Sequence, residues 1–333
     1  MRIIDVARLA GVGVSTVSRV INDHPYVSAE KRTRVQAAIR ELGYHPSGAA
    51  RALSSGRTSA VYVGLTSLAS NPMFERARGA LEILSGTEFD PIVVKVATPE
   101  ELDRFVEIRS LADRAAGILL IGISLDPEHV ERLTEANVPV VAVAVPASGI
   151  HSVFVDNIEG GRIAARHLIE LGHQRIAFVG DEEASGAPSR SSSDRQTGYR
   201  AELDDHGLSQ HSEHTEPGLR TLEVTASMAD ELLKLVPRPT AVFTASDQLA
   251  LDMLQAARAQ GIRVPEELSI VGFQDLEAAR YAGLTTVREP LFDSGACGGS
   301  LLLSLVREEE VPELDHELAL ELAVRETTGP PLS

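Results

Sequence analysis

The sequence of 333 residues predicts a small all-α head followed by a two-lobed α/β body. Three observations carry this reading. Apolar residues recur at helical spacing through residues 1–43, short β-branched runs alternate with helical stretches from about Ala60 onward, and the charge changes sign between the two parts. Residues 1–57 hold nine Arg and Lys against four Asp and Glu, a net charge of +5; the whole chain carries −17, so residues 58–333 carry −22. A small cationic head is drawn to phosphates, and an anionic body discourages indiscriminate wrapping of nucleic acid.

The head opens with "DVARLAGVGVSTVSRVIN" (5–22). Val6, Leu9 and Ala10 recur at i, i+3, i+4 and define the apolar face of a first helix. Asp5 lies in its first turn, where the helix dipole favours an acid, and Gly11 stops it. Val17, Val20 and Ile21 repeat the pattern, while Val14, Ser15, Ser18, Arg19 and Asn22 lie opposite that stripe. A third helix is signalled by Ser28 as N-cap, then Val35, Ala38, Ile39 and Leu42, then Gly43 as stop. Three short helices with a tight glycine-containing turn describe a helix-turn-helix, whose second helix lies in the DNA major groove. Arg19 can donate two hydrogen bonds to a guanine edge, Ser15, Thr16 and Ser18 can reach bases or phosphates, and Asn22 can do either. The helix pattern alone fits equally well a three-helix bundle with an ordinary solvated face.

The next segment, "YHPSGAARALSSGRT" (44–58), opens with a proline that bars helix before it, offers Ser47 as a cap, and ends in Ser-Ser-Gly. One or two turns of helix are marginal in water, so this segment orders only when something holds it, with Leu53 as an exposed apolar wedge. Residues 1–58 resemble the DNA-binding head and hinge of the lactose/galactose repressor (LacI–GalR) family of bacterial transcriptional regulators, almost continuously through "DVARLAGV…STVSRVIN…VSAEKRTRVQAAIRELGYHPSGAARALSSGRT". The resemblance implies that Val14 to Asn22 form the recognition helix, with Val14, Ser15 and Arg19 nearest the bases. It also implies a hinge helix over Ser47–Ser54 that folds on the operator, carrying Ala50 and placing Leu53 in the minor groove at the centre of a palindrome. Three residues depart from the family pattern. Gly13 stands where a serine or threonine cap is usual, at a cost of a few tenths of a kcal/mol. Ser47 replaces the usual hinge asparagine, and Gly48 weakens the isolated hinge.

In the body, "AVYVGL" (60–65), "PIVVKV" (91–96), "GILLIG" (117–122) and "VPVVAVAV" (138–145) read as buried parallel strands. After the helical stretch "NIEGGRIAARHLIELG", a second set follows: "RIAFVG" (175–180), "TAVFTA" (240–245) and "LSIVGF" (268–273). Helices between them make two consecutive doubly wound parallel-sheet units, with ligand sites beyond the carboxyl ends of the strands and in the cleft between lobes. The family resemblance extends over this body and implies a periplasmic-binding-protein-like effector domain with three crossings, placed near residues 160, 290 and 320. The expected organisation is a head over 1–46, a hinge and linker over 47–59, and an effector-binding and dimerisation domain over 60–333. Lobe 1 then covers about 60–160 and 290–320, and lobe 2 about 161–289 and 321–333.

Cleft residues follow from matching motifs. "NPMF" (71–74) resembles the family's Asn-Pro-Phe-Phe loop, so Asn71, Met73 and Phe74 face the cleft and Phe74 offers a stacking surface. "SDRQTGYRAEL" (193–203) resembles the Arg-x-x-Gly-Tyr-Arg segment and makes Arg195 the ligand-binding guanidinium, for a carboxylate, phosphate or vicinal hydroxyls. "TASDQLALDML" (244–254) matches an Asn-Asp motif with Ser246 replacing the asparagine, and "VGFQDLEAARY" (271–281) a Gly-Phe/Tyr-Asp-Asp motif with Gln274 replacing the first aspartate. Ala144 stands where many members carry another aspartate. Two carboxylates that accept hydrogen bonds from sugar hydroxyls are thus lost. The effector is expected to depart from a standard neutral hexose, by being smaller, less hydroxylated or acidic, unless other side chains compensate.

The remaining features carry no chemistry. "GVGVST" follows a helix and lacks the third glycine of a dinucleotide loop, and the ten histidines show neither HxxxH nor HxH spacing. With no nucleophile–base–acid set either, neither an enzyme nor a cofactor or metal is expected. Cys297, alone, forms no internal disulfide, which suits a reducing cytoplasm, and the expected location is the cytoplasm at the nucleoid. There is no apolar run long enough for a membrane span and no secretion signal, which a transporter's solute-binding protein would need. "SRSSSDR" (189–195) reads as a polar loop at the cleft mouth, "REEEVPELDHE" (307–317) as a solvated helix end and loop, and "TTGPPLS" as a frayed tail. "GACGGS" (295–300) sits on an expected helix of lobe 1, either packing at a subunit interface or merely tolerating small residues. With no heptads after residue 326, a homodimer on a two-fold operator is expected, switched by a sugar-like or small acidic effector; control by a partner protein is the alternative within the same class.

Overall fold

The computed structural model describes residues 3–21, 24, 26–44, 58–107, 115–181, 190–208, 211–215, 231–311 and 313–332. The expected contacts Asn22, Ser47, Ala50 and Leu53 lie outside these residues, as does the hinge helix.

The head is three helices, α1 (Ile3–Ala10), α2 (Val14–Ile21) and α3 (Ala29–Leu42). Val6, Ala7, Ala10, Val17, Val20, Val35, Ala38 and Tyr44 close its core. Leu9, expected on the buried face of α1, is instead 45% exposed. The buried stripe runs through Ile3, Val6, Ala7 and Ala10, and at 100° per residue Leu9 lies roughly 110° round the helix from its centre. Gly43 ends α3 in the left-handed region, and Ser28 stands at the N-cap position of α3 without a side-chain capping bond.

The body begins with β1 (Ala60–Leu65), α4 (Asn71–Leu84), β2 (Asp90–Lys95), α5 (Pro99–Val106), β3 (Gly117–Ile121), α6 (Pro127–Glu135), β4 (Val140–Val143) and β5 (His151–Phe154). The chain then runs through α7 (Asn157–Glu170), β6 (Ile176–Asp181), α8 (Ser191–Asp205), β7 (His211–Thr215), β8 (Ala241–Thr244), α9 (Asp247–Ala259), β9 (Ser269–Gln274), α10 (Glu277–Tyr281) and β10 (Thr285–Arg288). It closes with α11 (Leu291–Val306), β11 (Asp315–Glu317) and β12 (Glu321–Ala323). The strands form two sheets, ordered β11-β5-β4-β3-β1-β2 and β12-β10-β9-β8-β6-β7. Among the described residues pairing is parallel except between β10 and β12.

The sequence passes from the first sheet to the second after β5, returns after β10, and passes again between β11 and β12. Central strands are apolar without alternation because helices cover both faces: β3, β4 and β8 are buried along their whole length. Edge strand β2 differs, with Ile92 and Val93 each about 40% exposed.

Each lobe joins its first sheet-covering helix to a crossover helix through glycines. A Cβ on Gly79 or Gly295 would overlap the backbone of the facing helix in the α4–α11 pair, and one on Gly161 or Gly198 would do so in the α7–α8 pair. The small residues of 295–300 thus serve a close approach inside the chain, not merely a tolerance of small side chains. Two other expectations are corrected. Residues 191–195 begin α8 and form no loop; Asp194 sits in the first turn, where the helix dipole favours an acid. The C-terminal segment is docked, not frayed. Ile270 N donates to the Thr327 carbonyl at 2.8 Å, Thr327 Oγ1 donates to the Ile270 carbonyl at 2.7 Å, and His173, buried, meets the Gly329 carbonyl at 2.9 Å. Burial holds the His173 imidazole below its ordinary pKa, so it remains neutral there.

Candidate nucleic-acid interface and interlobe cleft

In the head, α2 buries Val17 and Val20 and turns its other face out. Val14, Ser15 and Arg19 are exposed, and Thr16 and Ser18 are half-buried. The helix starts without a side-chain cap: the Gly13 carbonyl accepts from Thr16 N at 2.9 Å and Val17 N at 3.2 Å. The turn before it is set by Arg34 of α3, which was not anticipated. Its Nε and Nη2 donate to the Ala10 carbonyl at 3.0 and 2.5 Å, and Nη2 to the Gly11 carbonyl at 2.9 Å. Those carbonyls end α1 and have no helical partner, so the guanidinium satisfies them while its charge opposes the negative end of the dipole. Gly11 holds φ +61° there, and a side chain on it would strike Arg34. Between α2 and α3, Tyr26 is largely exposed, an aromatic that residue spacing did not single out.

In the body, strand registers bring the carboxyl ends of neighbouring strands level: Leu65 pairs with Ile121 and Phe273 with Val287. Arg195 of α8 is the centre of what gathers there. Its Nε donates to Asn157 Oδ1 at 2.8 Å and its Nη1 to the Ala245 carbonyl at 2.6 Å. Its guanidinium carbon lies 3.6 Å from the ring centre of Phe273. Asn157 begins the crossover helix α7, Ala245 directly follows β8 and Phe273 lies near the end of β9, so the first crossover and the second sheet together aim this arginine.

Two further residues join it that no motif signalled. Glu289 follows β10 on the second crossover; its Oε1 is hydrogen-bonded by Arg76 Nη2 of α4, and its Oε2 lies 3.6 Å from Arg195 Nη2. All three side chains are at least nine-tenths buried, so an ion triad links α4 of lobe 1, the second crossover and α8 of lobe 2. Such a triad is a weak source of net stability but costly to break at one member.

The other expected cleft residues are placed as follows. Asn71 and Phe74 are exposed at the start of α4, and Met73 is half-buried with its sulfur against Gly122 beyond β3. Ser246 is buried and caps α9, its Oγ accepting from Leu249 N. Gln274 ends β9 with φ 113°, and Ala144 follows β4 with φ 75°, both in the region that disfavours side chains. Neighbouring Asp275 is withdrawn into a cluster with Arg288 at 2.9 Å, Arg325 at 2.5 Å and Arg280 at 3.3 Å. Burial alone would raise its pKa, but the hydrogen bonds from Arg288 and Arg325 outweigh it and hold the carboxyl below the ordinary range. Asp247 has the opposite fate. It accepts from Thr286 Oγ1 at 2.6 Å and Leu276 N at 2.7 Å, and burial pushes it up to about 7. These two bonds tie the starts of α9 and α10 to β10 and so shape the second-lobe wall.

Among the described residues no cluster of His, Cys, Asp or Glu has the make-up of a metal site, and no helix is long and apolar enough to cross a membrane.

Residues 2–47 match the family described as bacterial regulatory proteins, lacI family, and residues 165–328 match a periplasmic binding protein-like domain. Catabolite control protein A of Priestia megaterium is 31% identical, covering 98% of both chains. A solved lac repressor dimer bound to operator and the anti-inducer ONPF superposes with a TM-score of 0.83 at 28% identity, covering 99% of both chains. A transcriptional regulator CelR–cellobiose complex superposes with a TM-score of 0.69 at 31% identity, covering 98% of this chain and 99% of that one. These relatives are gene regulators, not enzymes. The chain therefore belongs to the LacI family of bacterial DNA-binding transcriptional regulators.

Proposed function

We propose that the chain is a repressor that binds a palindromic operator as a homodimer, in the cytoplasm at the nucleoid, and is switched by a small effector held between its lobes. The observation that carries this reading is the union of an outward Val14–Ser15–Arg19 face on a cationic head with a buried, pre-aimed Arg195 where the two lobes meet. In this reading Val14, Ser15, Thr16, Ser18, Arg19 and Asn22 meet the major groove, and a hinge within 47–59, with Ser47, Ala50 and Leu53, meets the minor groove. Residues 60–333 bind the effector through Asn71, Met73, Phe74, Arg195, Ser246 and Gln274, and the effector is sugar-like or a small acidic metabolite.

Dimerisation is supported by apolar surface that the lone chain leaves open, on Ile92 and Val93 of edge strand β2 and on Tyr281, which is 84% exposed. An effector that shifts one lobe against the other changes the spacing of the two hinges, which couples the sites reciprocally by about 1–3 kcal/mol. The test is fluorescence anisotropy of a labelled palindromic duplex at ~150 mM salt, with sedimentation to count chains. Two chains per duplex, released or recruited by a small molecule, support the reading; a single chain per duplex, unresponsive to small molecules and cell extract alike, overturns it.

A further inference from the structure

We propose that Glu289 is a specificity-determining residue of the effector site, and that its Oε2 receives a hydroxyl of an uncharged, polyhydroxylated effector; this rests on the effector-switched reading above. Glu289 Oε2 is buried and has no hydrogen-bond donor, and Arg195 Nη2 at 3.6 Å is too far to serve as one. A buried carboxylate oxygen without a donor calls for one. The oxygen lies just past the carboxyl end of β10, where doubly wound sheets bind their ligands, beside the guanidinium already aimed there by Asn157, Ala245 and Phe273.

The chemistry of the visitor follows from the charges around it. A carboxylate or phosphate oxygen cannot donate to Oε2 and would set a second negative charge against it in a buried place. A cation would face both Arg76 and Arg195. A neutral hydroxyl meets neither objection: it donates to Oε2 and can accept from a guanidinium, and Arg76 Nε is likewise buried without a hydrogen-bond acceptor. Glu289 thus supplies an acceptor carboxylate where Ala144 and Gln274 lack one. Arg76 fixes which way the group points, because its bond to Oε1 leaves Oε2 toward Arg195.

Glu289→Gln is the discriminating variant. Arg76 must hold the amide oxygen, so the amide nitrogen takes the place of Oε2 and an acceptor becomes a donor. The double variant Arg76→Gln/Glu289→Gln leaves Arg195 as the one charge of the triad, against two in the single variant, and so guards against misfolding of the single one. Calorimetry on the full chain is run against uncharged saccharides, including ribose, glucose, galactose and cellobiose, and against gluconate and glucose 6-phosphate, with duplex binding measured in parallel. The expected result is that an uncharged saccharide binds the wild type more tightly than either anion and is weakened at least 10-fold in both variants, while duplex binding persists. Unchanged saccharide affinity in both variants overturns the assignment, as does tighter binding of an anion by the wild type. A chain that binds duplex but no uncharged saccharide overturns it while leaving the regulator standing; a chain that binds neither overturns both.

Discussion

Replacing Asp247 by Asn tests how the second-lobe wall of the cleft is held together. Asp247 is completely buried, with its carboxyl pushed up to about 7 by burial and by the nearby Asp275 charge, against the opposing bonds from Thr286 and Leu276 N. In the unfolded chain the same group titrates near 3.8. The native state therefore holds the proton more tightly than the unfolded state, and this group's contribution to stability falls as pH rises from about 4 to about 7, then levels off. At about 1.4 kcal/mol per pKa unit, the shift of roughly three units weakens the fold by ~2–3 kcal/mol between pH 5 and pH 8. Asn matches the shape and can keep both contacts, its oxygen accepting from Leu276 N and its nitrogen donating to Thr286 Oγ1. Urea melts of wild type and Asp247→Asn at pH 5, 6, 7 and 8 should show the variant gaining ~2–3 kcal/mol on the wild type across that range. Other titrating groups largely cancel in the difference. A difference that stays constant with pH would refute the reasoning.

Breaking the interlobe triad should cost most at its single acid. Glu289→Leu leaves Arg76 and Arg195 buried without that anion and should destabilise by about 3–5 kcal/mol, whereas Arg76→Met leaves the Glu289–Arg195 pair in place and should cost less in denaturant melts. Gly295→Ala drives a methyl into the backbone of α4, so it should lower the thermal midpoint by many degrees, whereas Gly207→Ala, where nothing lies within 4 Å, should show only backbone strain. Arg19→Ala should weaken binding to a specific duplex by about 1–3 kcal/mol and relax base preference there, read by anisotropy against single-base variants. Because His173 is held neutral, acidification below its unfolded pKa of 6.5 should loosen the C-terminal segment, seen as faster amide exchange at Ile270, whose N–H is bonded to Thr327.

The α/β body was readable because its central strands are unbroken apolar runs, as in GILLI of β3 or VVAV of β4. The strands that escaped notice are short or polar. β10 reads TTVR, yet it is buried because Thr286 bonds Asp247 and Thr285 bonds Thr328, contacts that lie 39 and 43 residues away in sequence. β11 and β12 have three residues each, and their pairing is set by the crossovers rather than by composition. Within the cleft, Arg195 could be found because a contiguous motif surrounds it. Arg76 and Glu289 stand 213 residues apart, and nothing local distinguishes either from an ordinary surface charge. In the head, Arg34 was hidden in the same way: it lies on a charged helix face, and only the fold brings it over the end of α1. Helical spacing located Val17 and Val20 correctly but misjudged Leu9, since on so short a helix one shift of the stripe exchanges inside for outside.

Reading of a specific operator by α2 is tested most directly by selecting random duplex DNA on the full chain at ~150 mM salt, where non-specific phosphate binding is weak. The account predicts enrichment of a two-fold symmetric sequence of two half-sites by the wild type and loss of that enrichment with Arg19→Ala. Enrichment of no sequence, with and without cell extract to supply an effector, or equal enrichment by Arg19→Ala, would contradict it.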